Sequence, residues 1–249
     1  MNKRLLSDDI CDSYLPHQLA TADWVLHKLE IEDVLLVFHK PGTGKTLIGV
    51  LLALTNAYKN TIISAPNKSI LSMWESNILK SSYRIVQPKM LTKNGLSSML
   101  NQIVTNQYTE DLDSTLFLID EAHEILGTNT VEMLNAVREK YKIKIVLFTG
   151  TPVINTPKSL VKLLELLTSE DFSQAVTTAQ YVYDVKLKPE YEESVKKAIM
   201  GKISYYDENK ETVAKHQYEN LMLKMQKIQS DIFIQARETT SNEMFQQVL

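Results

Sequence analysis

The stretch from Val34 to Ala57 constrains this chain more than any other. Five consecutive apolar residues, Val34-Leu35-Leu36-Val37-Phe38, lead into His39-Lys40-Pro41-Gly42-Thr43-Gly44-Lys45-Thr46 and then into a mainly apolar run. An unbroken apolar run of that length reads as a strand buried on both faces, and the run from Thr46 to Ala57 reads as a helix. Strand, glycine-rich turn and helix in succession are the context that a phosphate-binding loop requires. Gly42 and Gly44 let the backbone approach a phosphate and aim its N–H groups inward, where a side chain would clash. The helix beginning near Lys45 adds the positive end of its dipole. Lys45 is expected to reach the β- and γ-phosphates of a nucleotide and the Thr46 hydroxyl to ligate Mg²⁺, with Pro41 and Thr43 completing the loop. The strict pattern has glycine at position 39, where this chain has His39. That departure alters the subclass rather than the assignment.

Further strand candidates at Thr61–Ser64, Leu116–Ile119 and Ile143–Phe148 alternate with helix candidates at Asn67–Leu79, Thr130–Lys140 and Pro157–Leu167. Such alternation predicts an α/β fold, a parallel sheet with helices on both faces and right-handed crossovers. After about Thr168 the chain turns polar and rich in Tyr and Lys, and apolar positions return at helical spacing at Leu221, Met225, Ile228 and Ile232. Those last positions fit a helix or a short strand (Tyr218–Met225) followed by one, and periodicity does not choose. The expected organisation is a nucleotide-binding lobe over 1–168, a linker or insertion over 169–217, and a mainly helical C-terminal extension over 218–249, the start of a second lobe.

Composition excludes several alternatives. With 44% hydrophobic and 23% charged residues in 249, the chain can bury one sizeable core. Its longest apolar stretch, Leu47 to Leu54, falls far short of the roughly 20 residues that span a bilayer, so no membrane partner is expected. The N-terminus turns acidic at once and has no hydrophobic signal core. The lone Cys11 has no partner for a disulfide, and a reducing intracellular compartment is expected. A net charge of −3 argues against a surface dedicated to polyanions, but leaves room for a motor that grips phosphates with a few local groups.

A second constellation begins where Leu116-Phe117-Leu118-Ile119 runs into Asp120-Glu121-Ala122-His123. A carboxylate at the end of a strand parallel to the loop strand faces the Mg²⁺ beside Thr46, which assigns Asp120 to the metal. Glu121, one residue on, would orient or deprotonate the attacking water. His123 is either a coupling residue or a plain helix-face histidine. Ile145-Val146-Leu147-Phe148 then leads into Thr149-Gly150-Thr151-Pro152, which puts hydroxyls on a tight turn at the C-terminal sheet edge where ligands bind.

Together Tyr14-Leu15-Pro16-His17-Gln18, Pro41 to Thr46, Ala65-Pro66 with Trp74, Asp120 to His123, and Thr149 to Asn155 resemble the Swi/Snf-type branch of superfamily 2 helicase-like ATPases. The Phe38-His39 lead and the Thr-Pro-Val-Ile-Asn run look most like the ATPases of poxviruses and related large DNA viruses, the group of nucleoside triphosphatase I and the early transcription factor's small subunit. The resemblance spans about residues 12–168 and implies a first RecA-like lobe that binds and hydrolyses ATP with Mg²⁺. By the same resemblance Gln18 reads the adenine edge, and His123, Thr149 and Thr151 couple hydrolysis to strand contact. Pro66, Asn67 and Lys68 match a turn that touches the nucleic-acid backbone; taken alone they read equally well as a helix cap and a surface lysine. Trp74 reads as core packing on an amphipathic helix.

The implied function is a nucleic-acid-dependent translocase, on DNA rather than RNA, working in viral transcription or replication, in host cytoplasm or virion. Alternatives are an ATP-sensing scaffold of a polymerase or transcription complex and the motor part of a restriction enzyme. Such motors use a second RecA-like lobe, in cis or in trans. No Gln-x-x-Gly-Arg-x-x-Arg motif follows, and Arg237 is the only arginine beyond Arg138. The stretch Gly201–Tyr206, with Met225, Gln226 and Gln229, resembles the crossing between lobes. A piece of a longer protein or one part of a split motor is therefore expected, weakly active alone.

Overall fold

The computed structural model describes residues 14–55, 57–80, 87–151, 157–178 and 185–207. Six parallel strands form one sheet: β1 (Val34–His39), β2 (Asn60–Ala65), β3 (Lys89–Thr92), β4 (Thr115–Ile119), β5 (Lys144–Thr149) and β8 (Ile203–Tyr206), ordered β3-β2-β4-β5-β1-β8. A small antiparallel pair, β6 (Val176–Thr178) and β7 (Val185–Leu187), stands apart. The helices are α1 (Pro16–Lys28), α2 (Lys45–Leu54), α3 (Lys68–Lys80), α4 (Lys93–Val104), α5 (Thr130–Lys140), α6 (Pro157–Thr168) and α7 (Glu192–Ile199).

Strand alternation splits the core in two. Leu35 and Val37 of β1, with Val146 and Phe148 of β5, face α1, α2 and α3. Val34, Leu36 and Phe38, with Ile145 and Leu147, face α4, α5, α6 and α7. All of β1 is buried, as a parallel strand covered on both sides must be.

Local chemistry sets the helix starts. Pro16 occupies the first turn of α1, where its missing N–H costs nothing. The Asn67 carboxamide oxygen accepts from Ile70 N–H at 3.0 Å ahead of α3, and the Thr92 hydroxyl accepts from Gly95 N–H ahead of α4. Helix α2 is apolar nearly all round because it lies between the sheet and its neighbours α1 and α3.

The expected parallel α/β sheet with helices on both faces is present. The differences are instructive. Strand β3 is short and half-buried throughout, so it carries no apolar run to signal it. Strand β8 lies within the stretch expected as linker or insertion, yet it pairs with β1 as Leu36↔Ile203 through His39↔Tyr206, and the sheet does not end at residue 168. The expected helical extension over 218–249 and the Pro152–Asn155 run lie outside the described residues. Among the described residues no helix is long and apolar enough to cross a membrane.

Candidate nucleotide site

Because the strands are parallel, the C-terminal ends of β1, β4 and β5 share one edge, with β5 between the other two. From this edge the phosphate loop leaves β1. Gly42 (φ 86°) and Gly44 (φ 81°) adopt the left-handed conformation that glycine takes without strain. Gly44 caps α2 with no side-chain acceptor, while the Leu47 N–H turns back to the Gly44 carbonyl at 2.9 Å, so the N–H groups of Lys45 and Thr46 at the helix start are those that suit an external anion. The Lys45 ammonium donates to the carbonyls of His39 (2.9 Å) and Lys40 (3.3 Å). Burial lowers its pKa, and the carboxylates of Glu121 and Asp120 oppose that. These features fit a polyphosphate held by N–H groups and one ammonium.

Asp120 follows β4, is 7% exposed, and is held at both oxygens. Trp74 Nε1–H donates to Oδ2 at 2.8 Å and the Glu121 N–H to Oδ1 at 3.0 Å. Burial raises the Asp120 pKa; the two hydrogen bonds and the charges of Lys45 and His123 act against it. Trp74 itself is fully buried, edge-on to Phe148 at 6.2 Å, and pressed onto α2 at Gly49, where a Cβ would come within 2.1 Å of the indole. Glycine inside that helix therefore makes room for the side chain that aims Asp120. Among the described residues there is no cluster of three metal-ligating side chains. Mg²⁺ takes one or two protein oxygens and completes its shell with phosphate and water; Thr46 at the start of α2 and Asp120 at the end of β4 are the residues that could hold it.

Glu121 sits at φ 47°, ψ 52°, a left-handed conformation that costs a non-glycine residue on the order of 1–3 kcal/mol and turns the chain sharply after the strand. Its carboxylate lies 3.3 Å from His123 Nδ1, which is also 3.0 Å from the Thr149 hydroxyl. The Thr149 hydroxyl in turn accepts from Thr151 N–H at 3.1 Å. A Cβ on Gly150 would come within 3.2 Å of Pro41 and 3.4 Å of Lys45 Nζ, so this turn lies directly on the phosphate loop.

Gln18 is 3% exposed, with its carboxamide shared between Leu15 N–H (3.0 Å) and the Thr43 carbonyl (3.2 Å). It props the loop, and its second N–H and second oxygen lone pair are what an adenine edge would use. Asn67 caps α3 and Lys68 is exposed beside it, so of the two readings the helix cap is the one with a visible bond. Arg138 is tied to the Leu166 carbonyl (2.7 Å) and the Ser169 hydroxyl (2.6 Å) between α5 and α6, and Arg237 lies outside the described residues. The sequence reading left His17 and Ser204 unassigned, and for Tyr206 and Trp74 it missed the polar and stacking contacts. No short-range pattern signals contacts made across the fold.

Residues 81–247 match the SNF2-related domain family, and the chain belongs to that family. It is 31% identical to the early transcription factor 70 kDa subunit of Fowlpox virus over 96% of its own length, and 29% identical to that of Molluscum contagiosum virus subtype 1 over the same share. It spans only 41% of the length of each of these relatives. Among solved structures, the SWI2/SNF2 ATPase core of Sulfolobus solfataricus, in complex with dsDNA, superposes with a TM-score of 0.52 at 20% identity, covering 78% of this chain and 45% of that one. The fold is thus a RecA-like, helicase-type lobe of the Swi/Snf class.

Proposed function

We propose that this chain is the first, ATP-binding and ATP-hydrolysing lobe of a nucleic-acid-dependent motor of viral transcription. The observation that carries the proposal is the meeting of Lys45, the Asp120–Glu121 pair and Thr149 on one sheet edge, with Gly150 packed on the phosphate loop. In this reading the loop N–H groups and Lys45 bind the β- and γ-phosphates, and Thr46 and Asp120 hold Mg²⁺. The ion, when bound, neutralises charge on the phosphate oxygens. Glu121 accepts the proton of the attacking water, and His123 fixes the direction of its carboxylate. Movement at the γ-phosphate reaches Thr149 and Thr151 through His123 Nδ1. Pro66, Asn67 and Lys68, on the same edge, are the candidates to meet a DNA backbone. A second lobe, supplied in cis or in trans, brings the arginine that meets transition-state charge. Relatives named as transcription factor subunits support a place in the transcription machinery, in host cytoplasm or virion.

Two substitutions separate binding from chemistry. Lys45→Ala removes phosphate neutralisation and should weaken MgATP binding by about a hundredfold or more, roughly 2.7 kcal/mol. Glu121→Gln keeps the shape and loses the base, so it should bind as the parent does and, in the longer protein, lower turnover by about 10²–10⁴. Titration calorimetry and steady-state ATPase with and without duplex DNA read the two effects. The 249-residue chain alone should hydrolyse poorly, since loss of an arginine finger costs about 10³–10⁵ in rate. Parent-like ATP binding by both variants removes the site assignment. ATP binding with no hydrolysis even in the longer protein favours a sensing scaffold.

A further inference from the structure

We infer that strand β8 is a positioning element of the phosphate loop, and that Ser204, Tyr206 and Asp207 set its affinity for nucleotide phosphates through His39, His17 and Lys40. This rests on the loop being the ATP site proposed above.

Strand β8 holds the loop on both flanks. At the entry, Lys40 N–H donates to the Tyr206 carbonyl at 3.2 Å and the Lys40 ammonium meets the Asp207 carboxylate at 2.7 Å. The Lys40 side chain is 42% exposed, so that ion pair is a weak contributor by itself. Beneath it, His39 Nε2 lies 2.9 Å from the Ser204 hydroxyl with both residues buried, and His39 Nδ1 has no partner among the described residues. The Ser204 contact is then the polar anchor of a buried imidazole, and deleting it leaves a second buried nitrogen unsatisfied. At the exit, the Tyr206 ring lies flat on the His17 ring, centroids 4.1 Å apart and planes 4° apart, while His17 Nε2 meets the Thr43 carbonyl at 2.9 Å.

Residues 39, 40 and 43 are thus tied to one strand, and Gly42 lies between the ties. The carbonyls of His39 and Lys40 are also those that receive the Lys45 ammonium. A change in the seat of β8 is felt at once by the backbone that cradles phosphate and by the lysine that neutralises it. The unusual residue at position 39 now has a reason: glycine there has no side chain to reach Ser204. Among the described residues strand β8 pairs on one side only, with β1, which makes it a displaceable support of the loop.

Calorimetric titration of the 249-residue chain with ATP and Mg²⁺, at a temperature where circular dichroism shows each variant folded, tests this. Ser204→Ala and Tyr206→Ala should each weaken binding by about tenfold, or about 1.4 kcal/mol. Tyr206→Phe keeps the stacked ring and should stay within about twofold of the parent. If Ser204 acts through His39, then on a His39→Gly background Ser204→Ala should add nothing, a non-additivity that a general loss of stability does not produce. Should Ser204→Ala fail to fold, the comparison of Tyr206→Ala with Tyr206→Phe at the half-buried ring carries the test. Parent-like affinity in Ser204→Ala and Tyr206→Ala, with binding lost in Lys45→Ala, overturns the role of β8 and leaves the phosphate loop standing. Failure of the parent itself to bind ATP overturns both.

Discussion

Around the phosphate loop, Gln18, His39, Thr43, Lys45, Asp120, Thr149 and Ser204 are all polar and all buried, whereas at the turn after β2 Asn67 and Lys68 are exposed. Buried polar groups must find partners, so the loop end is a web of mutual constraints: Lys45 to His39, His39 to Ser204, Trp74 to Asp120, His123 to Thr149. The turn after β2 needs only its own cap, from Asn67 to Ile70 N–H. One end of the sheet edge is preorganised and rigid, the other locally stable and open to a partner. On the function proposed above, this division would hold a phosphate in fixed geometry and a strand loosely enough to move along it.

The sharpest way to break this comparison is through His39. Burial, with His17 and Lys45 adding positive charge nearby, lowers its pKa to about 3 from the usual 6.5. The folded chain keeps the imidazole neutral while the unfolded chain protonates below about pH 6.5, so the stability it confers is intact above that pH and is lost as pH falls toward 3. The expected slope is about 1.4 kcal/mol per pH unit. Urea unfolding at pH 7 and pH 5 should show a larger acid loss in the parent than in His39→Asn. Equal losses in the two proteins mean that the loop end is less closed to protons than its burial implies.

A smaller effect is expected at Trp74. Trp74→Phe keeps most of the packing against Gly49 and removes the N–H that aims Asp120. The Mg²⁺ concentration needed for half-maximal ATP binding should rise about 10–100-fold, as for loss of an outer-shell partner of a metal ligand, while Mg²⁺-free nucleotide binding stays put. An unchanged Mg²⁺ requirement reduces Trp74 to core packing. Smallest are the effects at the open turn. Asn67→Ala should cost about 1 kcal/mol of stability and leave ATP affinity alone. Lys68→Ala should lower the slope of log K against log salt on duplex DNA by about one unit. A change in ATP affinity from either one would join the two regions that the structure keeps separate.

What was legible in the sequence was whatever a contiguous pattern encodes. The run Val34–Phe38 with its glycine loop, and Leu116–Ile119 with Asp120 and Glu121, each combine an apolar strand with the chemistry at its end, and the structure sets both on the same edge. Strand β3 was not legible because a half-buried edge strand of four residues needs no apolar run. Strand β8 was legible only as a crossing between lobes and not as a strand of this sheet, because Ile203-Ser204-Tyr205-Tyr206 is short and half polar, and its serine faces a histidine rather than solvent.

By itself, then, the sequence determined the parallel α/β plan, the glycines that let the loop turn, and the carboxylate pair at the end of a buried strand. Each follows from residues within one element or its adjoining turn, where period, burial and turn chemistry are local properties. Only the tertiary structure decided that Trp74 orients Asp120 across 46 positions, that Ser204 anchors His39 across 165, and that Tyr206 stacks on His17. Periodicity tells a residue which way to face; which residue it then meets depends on strand order and helix seating, and those are settled by the packing of the whole sheet.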